Sequence, residues 1–132
     1  MISVHAPVQK AGILQFEEDL LEAFTPIDID VQNEQKRIHI RWADGQDSHI
    51  PITRVRGYCP CAECQGHGTH IKWIDNRVAN ILDAKLVGQY AIHFQFSDGH
   101  HTGLFRFEHL RKLDPQEEAK WGKPEDSLIR QG

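Results

Sequence analysis

The feature that most constrains this chain is a cluster of cysteines near the middle of the sequence. All three cysteines of the 132 residues lie in one short stretch, as Cys59-x-Cys61-x-x-Cys64. Structural Zn2+ takes four sulfur or nitrogen ligands in a tetrahedron, and thiolates form most easily around a cation. The spacing therefore predicts a metal site that still lacks one ligand. An odd number of cysteines fits a disulfide framework poorly.

Zinc is the ion that this pattern favours, but two alternatives stay open. The same cysteines can hold iron or an iron–sulfur cluster, and they can also be reduced thiols with no metal. No export signal is apparent, and no apolar run is long enough to cross a membrane. We therefore expect a cytoplasmic protein, a setting in which a cysteine cluster is more often a metal site than a disulfide framework.

Composition limits the class of protein. The chain is 39% hydrophobic and 26% charged, which is typical of one soluble globular domain of modest size. Its formal net charge is -4, and the lysines and arginines form no patch in the sequence. Because affinity for phosphate backbones comes mainly from clustered basic residues, we expect no binding to nucleic acid.

The two ends of the chain are expected to lie outside the main domain. Residues 1–25 are interpreted as an N-terminal extension, with a mobile leader over 1–11 and an amphipathic helix over Gly12–Phe24, where apolar residues recur at helical spacing. Thr25-Pro26 ends that helix, because the residue before proline is pushed out of helical geometry. Residues 114–132 form a tail in which Asp114-Pro115 predicts the capped start of a short helix.

Residues 26–113 carry a strand pattern that occurs twice. Apolar and polar residues alternate over residues 38–42, and the Asp44-Gly45 turn leads to a partner strand. Residues 92–100 repeat the pattern of residues 38–46, including the Asp-Gly turn. We therefore expect an α+β, mainly β fold: one small antiparallel sheet of two pseudo-repeated strand-turn-strand hairpins around the cysteine knuckle. Between the copies, a short helical or irregular segment is expected to precede a strand that ends at Gly88.

The difference between the two copies suggests the fourth ligand. The residue after the turn is Gln46 in the first copy and His100 in the second, and cysteines follow only the first copy. If the second turn lies over the knuckle, His100 completes a Cys3His site. His67 is a rival because it follows the last cysteine by three positions, and spacing alone ranks the two level. His70 and His101 are weaker candidates.

Two arginines also occupy equivalent places in the two copies. Arg56 follows the first hairpin and Arg111 follows the second. They can bind an anion or pair with Asp44 and Asp98 of the turns. We favour pairing.

The motifs, taken in order, resemble one known family. They are Ile40-x-Trp42-x-Asp44-Gly45, Cys59-Pro60-Cys61-Ala62-Glu63-Cys64, Val87-Gly88-Gln89-Tyr90-Ala91 and Phe96-Ser97-Asp98-Gly99-His100. The chain is similar here to the domain-of-unknown-function family that includes the N-terminal domain of gamma-butyrobetaine hydroxylase, over about residues 26–113. The resemblance implies a small, mainly β zinc domain whose ligands are Cys59, Cys61, Cys64 and His100. It departs from the hydroxylase version at Gly57-Tyr58, which stands in place of Asp-Asn.

The resemblance does not extend to hydroxylase chemistry, which belongs to a separate iron and 2-oxoglutarate domain. A non-haem iron oxygenase needs two histidines and a carboxylate, and none of the nine histidines is followed two positions later by Asp or Glu. We expect a non-enzymatic module; a catalytic zinc with His100 as general base is a less favoured alternative. Domains of this family also occur joined to, or beside, Mrp-type ATPases that carry iron–sulfur clusters. This implies a protein partner and accessory work in metal-cofactor delivery.

Overall fold

Two small antiparallel sheets and several short helices make up the described part of the chain. The computed structural model describes residues 2–5, 22–66, 70–101 and 103–126. The first sheet has the strand order β1-β2-β3-β4 and the second β5-β6-β7. The strands are β1 (Ile2–His5), β2 (Pro26–Gln32), β3 (Arg37–Trp42), β4 (Asp47–Pro51), β5 (Ile81–Val87), β6 (Ala91–Phe96) and β7 (Leu104–Arg106). The fold is α+β and mainly β, as the sequence predicts.

The described helices are short and connect or follow the strands. They are α1 (Ile52–Gly57), α2 (Ala62–Gln65), α3 (Phe107–Lys112) and α4 (Glu118–Trp121), with 3-10 turns at Asn33–Gln35, Pro115–Glu117 and Pro124–Asp126. Within the described ranges, no helix has the length and apolar character needed to cross a membrane.

The two sheets share one hydrophobic core. Along β3 the side chains of Ile38, Ile40 and Trp42 are fully buried, whereas the intervening residues face outward. Phe94 and Phe96 of β6 belong to the same buried cluster. Burying each of these large side chains stabilises the fold by roughly 1.5–3 kcal/mol. The period of two in the sequence thus reflects the inner faces of two sheets.

The sequence repeat corresponds to a repeated structural unit. The first unit (residues 37–57) contains β3, a turn, β4 and α1, and the second unit (residues 91–112) contains β6, a turn, β7 and α3. In the first turn the N–H of Trp42 donates to the carbonyl of Gln46 over 2.9 Å, and in the second the N–H of Phe96 donates to the carbonyl of His100 over 2.9 Å. The turn glycines have φ angles of 89° and 87°, a region that favours glycine.

The arrangement of the units differs from the sequence prediction. The prediction of a single sheet is wrong, because the two hairpins lie in separate sheets. Each unit also ends in a six-residue helix that the sequence analysis did not predict, α1 or α3. Six residues are too few to show the helical period clearly. The helix α1 begins at Ile52, directly after β4.

The N-terminal residues correct a second expectation. Residues 1–11 were expected to be a mobile leader, but Ile2–His5 form β1 and pair with β2, with Ile2 opposite Val31. Ile2 and Val4 also pack against the core. Four residues carry too little pattern to reveal a strand. The helix predicted over Gly12–Phe24 lies almost entirely outside the described residues.

Two other expectations are confirmed. Residues 71–80 are irregular and lead into β5, which ends just before Gly88. The carboxylate of Asp114 accepts the N–H of Gln116 over 3.0 Å at the start of the Pro115–Glu117 turn, as the predicted helix cap requires.

Candidate metal centre

The cysteine knuckle follows α1 directly and is folded by its own backbone hydrogen bonds. The N–H of Cys59 donates to the carbonyl of Arg56 over 3.3 Å. The N–H groups of Cys64 and Gln65 both donate to the carbonyl of Cys61, over 3.2 and 3.0 Å. Gly66, with a φ of 61°, ends the turn. These bonds bring the three thiol groups close together on one short loop.

The second Asp-Gly turn places His100 against this knuckle. The Nε2 atom of His100 lies 3.2 Å from Sγ of Cys59, 3.3 Å from Sγ of Cys61 and 3.5 Å from Sγ of Cys64. All four potential ligand atoms lie within 4.8 Å of one another. The Oδ1 atom of Asp98 accepts the N–H of His100 over 3.0 Å and fixes the turn.

The geometry and chemistry of this group fit a tetrahedral metal ion. Bonds of about 2.3 Å to sulfur and about 2.0 Å to nitrogen, at tetrahedral angles, separate the two donor atoms by about 3.5 Å. The observed sulfur–nitrogen distances of 3.2 to 3.5 Å are close to that value. Three sulfur atoms and one imidazole nitrogen are also donors that zinc and iron accept. The Cys3His group can therefore hold a metal ion.

Burial makes the thiols depend on a cation for their charged form. Cys59 and Cys61 are buried, and Cys64 is half-buried. Burial raises the pKa of the Cys59 thiol well above its usual range. The pKa of Cys64 is also raised, first by burial and then by its contact with Cys61, while Arg56 opposes the shift. A metal ion must displace these protons, so affinity should increase with pH.

The four favoured residues lie together in one group, and the two weaker histidine candidates lie outside it. Among the described residues, His70 and His101 do not belong to the metal-capable group. The Nδ1 atom of His101 instead contacts the carbonyl of Gly99 at 3.1 Å. His67, the rival fourth ligand, lies outside the described residues.

Three residues that support the group were not identified as site residues from the sequence. A Cβ added to Gly103 would lie 2.6 Å from Sγ of Cys59, so the backbone here needs glycine to approach the sulfur. The buried carboxamide of Gln65 donates to the carbonyl of Cys59 over 2.8 Å. Nη1 of Arg56 donates to Sγ of Cys64 over 3.3 Å. Only Arg56 had a sequence signal, its recurrence in both units.

Fold and site together define a small two-sheet α+β domain with a Cys3His group that can hold a metal ion. The profile of the family described as gamma-butyrobetaine hydroxylase-like, N-terminal, matches residues 29–111. The chain belongs to this family, as the resemblance of its motifs implies. A search among curated proteins found no match.

Solved structures support the same assignment. A protein of unknown function of the DUF971 family from Acidithiobacillus ferrooxidans is 31% identical, with 71% of this chain and 97% of that chain covered and a TM-score of 0.54. A protein solved by solution NMR is 28% identical over 74% of each chain, with a TM-score of 0.61. A second NMR structure is 24% identical over 80% of this chain and 95% of that chain, with a TM-score of 0.51, and shares the fold.

Proposed function

We propose that Cys59, Cys61, Cys64 and His100 bind one structural Zn2+ and that the chain is a non-enzymatic module for binding another protein. The observation that carries the proposal is the position of His100, whose Nε2 lies 3.2 to 3.5 Å from all three sulfur atoms. Four protein ligands complete a tetrahedral zinc site and leave no position for water or substrate. The position of His100 beside all three sulfur atoms also supports a role as a ligand over one in which its imidazole acts as a base.

A zinc ion in such a site contributes folding free energy rather than chemistry. Apparent binding free energies of structural zinc are on the order of 10–16 kcal/mol at neutral pH. This is as large as the total stability of a typical domain, about 5–15 kcal/mol. Removal of the ion should therefore unfold much of the knuckle and the turn that carries His100.

Metal analysis tests the zinc proposal. Protein purified without added metal should contain one zinc ion per chain by elemental mass spectrometry and show no visible absorbance. Treatment with a strong chelator should remove the ion and lower the midpoint of urea unfolding. A protein that is colourless, metal-free and equally stable with and without added zinc would contradict the proposal.

We further propose that the protein partner belongs to metal-cofactor assembly, such as an Mrp-type ATPase that carries an iron–sulfur cluster. The resemblance of the motifs supports this, because it implies a domain of a kind that occurs joined to or beside such ATPases. Titration calorimetry with a purified ATPase of this type should detect binding to the zinc-loaded chain. Binding should be lost for a Cys61→Ser variant, and absence of binding to the zinc-loaded chain would contradict this partner.

A second candidate function is transient carriage of iron or an iron–sulfur cluster on the same cysteines. The observation that favours it is the intermediate exposure of Cys64, whereas Cys59 is fully buried. A carrier loaded anaerobically with iron and sulfide should absorb visible light and pass the metal to a chelator within minutes. A structural zinc site should stay colourless and release its ion far more slowly.

A further inference from the structure

The side chain of Arg56 connects the two parts of the candidate metal centre. Its Nη1 donates to Sγ of Cys64 over 3.3 Å, and its Nε donates to Oδ2 of Asp98 over 3.0 Å. The other oxygen of Asp98 accepts the N–H of His100 over 3.0 Å. One guanidinium thus links a sulfur atom of the knuckle with the turn that carries the imidazole.

Arg56 also brings a positive charge to a site that needs one. Three thiolates and one divalent cation leave a single net negative charge on a Cys3His centre. The Arg56 side chain is only 13% exposed, so solvent screens its charge weakly. Contacts of a charged donor with an anionic acceptor are stronger than those between neutral groups. The guanidinium therefore stabilises the metal-loaded charge state of the site.

The equivalent arginine of the second unit also contacts negatively charged groups. Arg111, the equivalent of Arg56, contacts Asp44 of the first turn at 3.2 Å, as Arg56 contacts Asp98. Arg111 also contacts a second carboxylate, that of Glu117, at 3.0 Å, and donates to the carbonyl of Ala23 over 2.8 Å. In the first unit, the further side-chain acceptor is Sγ of Cys64. The two acceptors contact different nitrogen atoms, since Cys64 contacts Nη1 of Arg56 and Glu117 contacts Nε and Nη2 of Arg111. What the two arginines share is an aspartate of the other unit and a further side-chain acceptor, which is a metal-ligand sulfur only for Arg56.

We propose that Arg56 is a positioning residue for the metal, which orients Cys64 toward the ion, balances the charge of the site and holds the second turn against the knuckle. This inference rests on the proposed metal-binding function and deepens it. Hydrogen-bonded partners of metal ligands typically contribute 10–100-fold to metal affinity. Loss of the guanidinium should therefore weaken zinc binding by roughly that factor, mainly through faster release.

The test compares zinc affinity and release rate among matched arginine variants. Zinc-loaded Arg56→Met should bind zinc roughly 10–100-fold more weakly than the unmodified chain in competition with a chromophoric chelator. Arg56→Lys should recover part of the loss, because it keeps the charge but not the forked donor. Arg41→Met is the control, since Arg41 is 59% exposed on the outer face of the first sheet and contacts Asp47 at 3.6 Å. It should bind zinc as the unmodified chain does.

A double-mutant cycle separates this role from a general effect on the fold. In a Cys64→Ser background, Arg56→Met should weaken metal binding by a smaller factor than in the unmodified chain, because its sulfur partner is already gone while its contact with Asp98 remains. Cobalt-loaded Arg56→Met should retain a sulfur-to-metal charge-transfer band, because this variant keeps all three cysteine ligands. If Arg56→Met does not fold, the same double-mutant cycle with Cys64→Ser can be measured with Arg56→Lys or with Asp98→Asn in its place.

Two results would overturn the inference. One is an Arg56→Met variant whose zinc affinity and release rate match those of the unmodified chain. The other is an equal loss with and without the Cys64 thiol, which would mean that Arg56 acts only through the fold. If the unmodified chain itself binds no metal, the proposed function fails as well. If the unmodified chain binds zinc and Arg56→Met binds it equally, only the role of Arg56 fails.

Discussion

Asp98 accepts a hydrogen bond of 3.0 Å from Arg56 across the boundary between the two repeated units. Arg56 belongs to the helix that ends the first unit, and Asp98 belongs to the turn of the second. The reverse contact joins Arg111 of the second unit to Asp44 of the first, at 3.2 Å. The sequence prediction that these arginines and aspartates pair is confirmed, and each unit completes an ion pair of the other.

Each of the two arginines also lies over an aromatic ring of the other unit, at the end of a strand. The guanidinium carbon of Arg56 lies 5.9 Å from the ring centroid of Phe96, and that of Arg111 lies 5.1 Å from the ring centroid of Trp42. The two units thus pack by equivalent contacts, but the two arginines have different further partners. One arginine supports the cysteine and histidine group, and the other forms a buried ion pair with Glu117.

Replacing the buried arginine should damage stability rather than metal binding. Arg111 is fully buried, and Arg111→Met leaves Asp44 and Glu117 partly buried without their cation. Removal of one partner of a buried pair typically costs about 3–5 kcal/mol. We expect a loss in the free energy of urea unfolding near that range, measured for the zinc-loaded protein.

The exposed Arg41→Met variant is the control for this change. Surface pairs contribute at most about 1 kcal/mol, so its unfolding free energy should stay close to that of the unmodified chain. A loss for Arg111→Met as small as that of Arg41→Met would show that the buried pair does not hold the units together.

Substitution of histidines should identify the fourth ligand. His100→Ala removes the nitrogen that lies 3.2 Å from Sγ of Cys59, and zinc affinity should fall by more than the roughly 100-fold typical of supporting residues. The neighbouring exposed histidine gives the control, because His101→Ala should leave affinity unchanged. Chelator competition measures all variants. A large loss in His67→Ala together with a small one in His100→Ala would instead favour the rival ligand.

The sequence predicted that the three cysteines and His100 lie together better than it predicted the arrangement of the sheets. The alternation of Ile38, Ile40 and Trp42 and the recurring Asp-Gly turns were sufficient to find the two units, because strand burial repeats with a period of two. The difference between Gln46 and His100 then indicated which turn approaches the cysteines. Both signals are local, so they can be read from neighbouring residues.

Contacts between residues far apart in the chain could not be predicted in this way. Nothing local distinguishes one shared sheet from two, because the pairing partners of β2 and β5 decide it. Gln65 and Gly103 support Cys59 through its carbonyl and its sulfur, respectively. A glutamine and a glycine in a loop have many other roles, so their types alone gave no signal.

Gly103 offers a steric test of the site. In Gly103→Ala the new Cβ would lie 2.6 Å from Sγ of Cys59 and 2.9 Å from the ring of Phe105, and both neighbours are fully buried. Overpacking of this kind costs about 1–3 kcal/mol. We expect weaker zinc binding together with lower stability, measured by chelator competition and urea unfolding. Because Gly103 is not among the positive-φ glycines, backbone strain cannot explain the loss, and unchanged zinc affinity would contradict the close approach.

The pH dependence of stability should reveal His109, whose Nε2–H donates to the carbonyl of Tyr58 over 2.8 Å. Burial lowers the pKa of His109 from 6.5 to about 4, so protonation favours the unfolded chain. Its contribution is complete above pH 6.5 and is lost as the pH falls through about 4, which amounts to at most about 3 kcal/mol. Urea unfolding measured at pH 7 and at about pH 4 tests this. Between these two pH values, His109→Gln should lose less unfolding free energy than the unmodified chain. The control His70→Gln, at an exposed site, should lose as much as the unmodified chain. Equal pH profiles for His109→Gln and the unmodified chain would show that His109 titrates normally in the folded protein.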